Sequence, residues 1–77
     1  MEDKLYKIMS EIFRLDRDKI TRESSIETIR QWTSLNHVVL IDRIEKEWDL
    51  NFEISEIINI KNVSDILDII EKYTNGK

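Results

Sequence analysis

The sequence predicts an all-α fold: a small four-helix bundle of three longer helices and one short helix, with a long loop between the first and second. Three observations carry this. Apolar residues recur at helical spacing in three separate segments. The 77-residue chain contains one glycine and no proline, so tight hairpins and barrel corners lack their usual residues. The one alternating apolar–polar stretch, Asp49 to Ile54, has no second strand to pair with. The length fits a single domain, residues 1–77 with its core in about 3–74.

Leu5, Ile8, Met9, Ile12 and Phe13 repeat with Lys4, Lys7, Glu11 and Arg14 between them, which predicts an amphipathic first helix over about residues 3–15. Asp16 to Gln31 is polar, with isolated Ile20, Ile26 and Ile29. It is too long for an ordinary helix connection and reads as an ordered loop pinned to the core by those three isoleucines. Ser24 to Ile29 suits a short helical turn. The second helix opens near Ser34 with Thr33 as its N-cap. Leu35, Val38, Ile41, Ile44 and Trp48 are read as one stripe, widened by Leu40. Asp49 to Ile54 becomes an extended connection. Glu53 to Ile60 is a third helix of one or two turns. Asn62 with Asp65 resembles a cap, and Val63, Ile66, Leu67, Ile70 and Tyr73 form a fourth helical face to about Thr74. Gly76 and Lys77 are expected to fray.

Composition excludes several functions. Without cysteine there is neither a disulfide framework nor a thiolate metal site, and the lone His37 has no partners at ligand spacing; it reads as a surface histidine. Nucleophilic catalysis would need a base beside Ser34. His37 lies three residues on, but no orienting acid or oxyanion site accompanies it, so an enzyme is not expected. A net charge of −4 lacks the basic stripe of a nucleic-acid binder. No apolar run approaches the roughly 20 residues of a membrane span, and the charged N-terminus is no signal peptide. A cytoplasmic protein is the default expectation. Trp48 reads as core; Trp32 is either a lid over the second helix's first turn or a partner contact.

An amphipathic helix, a long loop with spaced isoleucines, TSL opening an apolar helix, a short helix and a final NVSDILDII helix follow in order. Over roughly Leu5 to Tyr73 this closely resembles the acyl carrier proteins of the phosphopantetheine-binding family. In that family a D-S-L motif carries the attachment serine. The resemblance implies that Ser34 bears a covalent 4′-phosphopantetheine, with Leu35 as the motif leucine. By pattern alone Ser34 is the cap's neighbour. Thr33 replaces the usual aspartate; it preserves the cap but not the charge presented to the loading transferase. Modification is then expected to be slower, to need a different transferase, or to be lost.

The resemblance further implies that the second helix recognises partners: a phosphopantetheinyl transferase, and enzymes that load and transfer the acyl group. Residues carried over to that role are Thr33, Leu35, Asn36, Val39, Asp42, Arg43, Glu45 and Lys46. Arg43 and Lys46 dilute the acidic face, and Val39 adds an apolar contact, so a dedicated partner set in a specialised pathway is implied. A cargo space between the second, third and fourth helices could be lined by Leu40, Ile44, Ile57, Ile60, Ile66 and Ile70, all of which pattern reads equally as core. The implied function is a monomeric carrier that tethers an acyl group as a thioester. An aminoacyl or peptidyl carrier, and an unmodified helical interaction module, are the alternatives.

Overall fold

The computed structural model describes residues 1–75, so the expected fray at Gly76 and Lys77 lies outside the described residues. Four α-helices run in order: α1 (Glu2–Phe13), α2 (Ser34–Trp48), α3 (Ile54–Asn59) and α4 (Val63–Asn75). A single 3-10 turn, Arg17–Lys19, interrupts the first loop. Leu5, Ile8, Met9 and Phe13 of α1 are buried, as their spacing requires, and Ile12 packs at the edge of the same core. α1 stops two residues earlier than the period suggests, because Arg14 turns left-handed (φ 54°) and its N–H is accepted by the Ser10 carbonyl. Leu15 and Ser10 close the end reciprocally, through Leu15 N–H to the Ser10 carbonyl and Ser10 Oγ to the Leu15 carbonyl.

The long loop is ordered, but its fastening differs from the expectation. Ile20 and Ile29 are buried; Ile26 is 40% exposed and pins nothing. Backbone bonds to the start of α4 take its place. Ile26 N–H reaches the Lys61 carbonyl, while the carbonyls of Ser24 and Arg22 accept from Val63 and Ser64. The loop therefore satisfies amides that a helix start leaves without intrahelical partners. Ser25 to Ile29 does make one hydrogen-bonded turn, with Ile29 N–H on the Ser25 carbonyl at 2.9 Å.

α2 packs on α1. Its core face needs correcting: Leu40, Ile41 and Ile44 are buried, but Leu35 is 74% and Val38 63% exposed. Leu35 lies nine residues before Ile44 and falls on the opposite side of a 3.6-residue helix. The inward stripe instead runs through half-buried His37, then Leu40, Ile41, Ile44 and half-buried Trp48. Asp49 ends the helix in the left-handed region (φ 53°), and both its N–H and that of Leu50 are accepted by the Glu45 carbonyl. Leu50 to Glu53 is an extended connection, with Leu50 and Phe52 buried and Asn51 and Glu53 exposed. Strand-like alternation here serves one buried side without any strand partner among the described residues.

α3 is capped when Glu56 reaches back to the Glu53 N–H at 2.9 Å. Asn62 Oδ1 accepts the Asp65 N–H at 2.8 Å and Asp65 returns to the Lys61 N–H at 2.9 Å, so the cap expected for α4 forms as a reciprocal pair. Val63, Ile66, Leu67 and Ile70 complete the core, and Tyr73 stacks on Phe52 with ring centroids 6.2 Å apart.

Candidate functional site

The mouth of α2 is built by Thr33. Its backbone is extended (φ −85°, ψ 171°), and its Oγ1 accepts the Asn36 N–H at 3.1 Å. Asn36 is tied down twice, since its side-chain Nδ2 also donates to the Gln31 carbonyl at 2.8 Å. Ser34, the first helical residue, is exposed. Among the described residues its hydroxyl has no hydrogen-bond partner, because the capping position is already filled by Thr33. The Ser34 and Leu35 amides sit where helix geometry leaves N–H groups unpaired, at the positive end of the helix dipole.

Beside Ser34 lies a groove of about 320 Å³ between α2, the first loop and α3. Trp32, His37, Ile57 and Ile60 line it from inside, while Val38, Ile58 and Ile26 lie along its rim. Trp32 is neither a surface lid nor a free contact; it is 4% exposed and lies against Phe13. Its indole N–H donates to His37 Nδ1 at 2.9 Å, and His37 Nε2 meets the Ile57 carbonyl at 3.0 Å. His37, expected on the surface, thus joins the first loop, α2 and α3. Polar by letter and inward by position, it gave no hydropathy signal. Its place seven residues before Ile44 was the only clue.

The residues assigned to recognition separate into three groups. Leu35, Val39, Asp42 and Lys46 share the outward face of α2 with Val38, and Asp42 and Lys46 neutralise one another at 3.0 Å. Arg43 is turned to α1, where it binds Glu11 at 2.9 Å. Glu45 is half-buried and accepts the Phe52 N–H at 2.8 Å, holding the extended connection. Thr33 and Asn36 shape the helix mouth. The outward face is consequently apolar near Ser34 and charge-compensated farther along.

Of the six residues considered for a cargo space, Leu40, Ile44, Ile60, Ile66 and Ile70 are buried in the core and Ile57 is half-buried. Among the described residues no group of three or more His, Asp and Glu gathers to hold a metal ion, and no helix is long and apolar enough to cross a membrane.

No family model matches the sequence. A curated acyl carrier protein of Buchnera aphidicola is 36% identical over 73 residues, covering 95% of this chain and 94% of that protein. The chain belongs to the acyl carrier protein family. A holo acyl carrier protein from Geobacter metallireducens superposes with a TM-score of 0.81 at 36% identity, over 91% of this chain and 80% of that one. A candidate acyl carrier protein from Mycobacterium tuberculosis gives a TM-score of 0.85 at 26% identity, over 94% and 96%. Members of this family are carriers rather than enzymes, and both ring nitrogens of His37 are engaged away from Ser34.

Proposed function

We propose that this carrier holds 4′-phosphopantetheine on Ser34 and presents an acyl group to partner enzymes. The observation that supports it best is the division of labour between Thr33 and Ser34. Thr33 caps α2, so the exposed Ser34 hydroxyl serves no structural purpose and can be consumed without loosening the helix. The site fits the group. The first-turn amides favour a phosphodiester, by roughly 0.3–1 kcal/mol for an exposed anion. The groove beside Ser34 offers apolar walls along which an arm can lie.

Loading transfers the phosphopantetheinyl group of coenzyme A. Ser34 Oγ forms a bond to the β-phosphorus, the pyrophosphate bond breaks, adenosine 3′,5′-bisphosphate departs, and the hydroxyl proton goes to a base of the transferase. Once attached, the group supplies a terminal thiol, which this cysteine-free chain lacks, and carries the acyl group there as a thioester. Ser34 anchors the arm and α2 presents it. The partners in this reading are a phosphopantetheinyl transferase and acyl-loading and acyl-transferring enzymes. It takes the chain as a single monomeric domain in the cytoplasm.

A specialised pathway suits the outward face of α2. Leu35, Val38 and Val39 offer apolar contact next to Ser34, and the only carboxylate on that face, Asp42, is compensated by Lys46. Partners that dock here would rely on apolar complementarity more than on a basic patch. Intact mass after incubation with coenzyme A and a broad-specificity transferase tests the reading, with Ser34→Ala alongside. A gain of one phosphopantetheine, absent in the variant, is expected. No gain, with a transferase active on a control carrier, would favour the unmodified module.

A further inference from the structure

The groove beside Ser34 ends at a wall. Trp32 forms it, wedged between Phe13 at 5.6 Å and His37 at 6.1 Å between ring centroids. Two hydrogen bonds brace it, from the indole N–H to His37 and from His37 to the Ile57 carbonyl. Trp32 and Ile60 are at once the groove's lining and members of the continuous core that includes Leu40, Ile44 and Ile66. A chain tethered at Ser34 meets the groove first, because Ser34 itself lies on its edge. To go farther inward it must pull Trp32 off His37 or His37 off Ile57. Either movement leaves a donor or acceptor unpaired in a water-poor place, which is unfavourable.

We propose that Trp32, braced by His37, is a cargo-length gate: it confines the tethered acyl group to the outer groove and so restricts favourable accommodation to short groups. This rests on Ser34 being the attachment point. Short acyl groups bury most of their apolar surface against Val38, Ile58 and the face of the wall. Each methylene beyond the groove gains nothing, since further burial requires breaking the brace. His37 acts through Trp32 and is a positioning residue, while Trp32 sets the limit.

The test loads the full chain from acetyl-, butanoyl-, octanoyl- and dodecanoyl-coenzyme A with a broad-specificity transferase. Intact mass confirms each product, and the melting temperature of each is compared with the chain bearing phosphopantetheine alone. Wild type is expected to gain stability up to butanoyl and then level off. Trp32→Ala is expected to melt lower when unacylated and to recover progressively with octanoyl and dodecanoyl. Should Trp32→Ala fail to fold, His37→Asn, which loosens the brace without emptying the core, is expected to show the same climb with length. In a Trp48→Phe background, where Trp32 is the only indole, octanoyl loading is expected to leave its emission unchanged. A wild-type melting temperature that rises steadily to dodecanoyl, or variants as flat as wild type, would overturn the gate alone. No mass gain in wild type, with the transferase active on a control carrier, would overturn the attachment and the gate with it.

Discussion

Trp32 donates its indole N–H to Nδ1 of His37 across 2.9 Å, and His37 Nε2 meets the Ile57 carbonyl at 3.0 Å. An indole can only donate, so Nδ1 must offer a lone pair; a carbonyl can only accept, so Nε2 must carry the proton that meets Ile57. The two bonds together match the tautomer protonated at Nε2. Long-range proton–nitrogen NMR correlation is expected to show the unprotonated nitrogen at δ1. His37→Ala leaves the buried indole N–H without an acceptor and is expected to destabilise the fold by about 1–3 kcal/mol. Urea unfolding measures it, and a loss below a few tenths would mean that the bond does not persist in solution.

Thr33 is the next point at which stability and loading can be separated. Thr33→Ala removes the acceptor for the Asn36 N–H and is expected to cost about 1 kcal/mol. Thr33→Asp keeps the cap and adds a negative charge at the positive end of α2, worth roughly 0.3–1 kcal/mol. On the proposed attachment at Ser34, the same change supplies the charge that Thr33 lacks, so loading is expected to become faster. Ser34→Ala should alter stability by no more than about 0.5 kcal/mol, as an exposed residue outside the cap. Denaturation curves and time-resolved intact mass check the three together.

The junction between α3 and α4 responds to pH. Tyr73 donates its hydroxyl to Glu56 at 2.6 Å, and the Glu53 N–H and Lys72 Nζ also reach that carboxylate. The Tyr73 bond, then the Glu53 amide, hold the Glu56 carboxyl below its ordinary range. A lowered folded pKa means that this contribution is present above the unfolded value, near 4.5, and is lost as pH falls through the lower folded one. Tyr73 moves oppositely: its bond to Glu56, followed by partial burial, raises the phenol to about 12. Its contribution is whole below the unfolded value of 10.0 and disappears as pH rises through about 12. Tyr73→Phe is expected to flatten the stability profile at both ends, and Glu56→Gln to bring the Tyr73 tyrosinate titration back down by ultraviolet absorbance.

Periodicity in α1 and α4 was enough to place both helices and nearly every buried residue in them, because their apolar residues all belong to the core. α2 was harder for a physical reason. It carries apolar residues on two faces, one turned to the core and one to solvent, and the inward face begins with a histidine. Counting hydrophobic letters therefore drew Leu35 and Val38 inward, although their angular position opposes or flanks Ile44. The first loop hides its fastening differently: backbone bonds from Arg22, Ser24 and Ile26 to α4 have no side-chain signature. Arg43 and Glu45, which the resemblance carries over to partner recognition, each hold a partner within the chain. Thr33 and Ser34 were legible because a cap and the residue after it obey local rules.

The exposed apolar face of α2 gives the last expectation. Leu35 is 74% exposed, Val38 63% and, across the groove on α3, Ile58 66%. None contributes to the core, so Leu35→Ser and Ile58→Ser should each change stability by less than about 0.5 kcal/mol. Scattered apolar residues need no explanation, but three around the exposed Ser34 form a coherent surface. If partners dock through it, each substitution is expected to weaken transfer to or from a cognate enzyme, raising the KM for the carrier while leaving kcat with a free pantetheine substrate untouched. Asp42→Asn, which breaks only a solvent-exposed pair with Lys46, is expected to have a smaller effect than either. The reverse ranking, with Asp42 dominant and Leu35 neutral, would mean that charge rather than apolar contact selects the partners of this carrier.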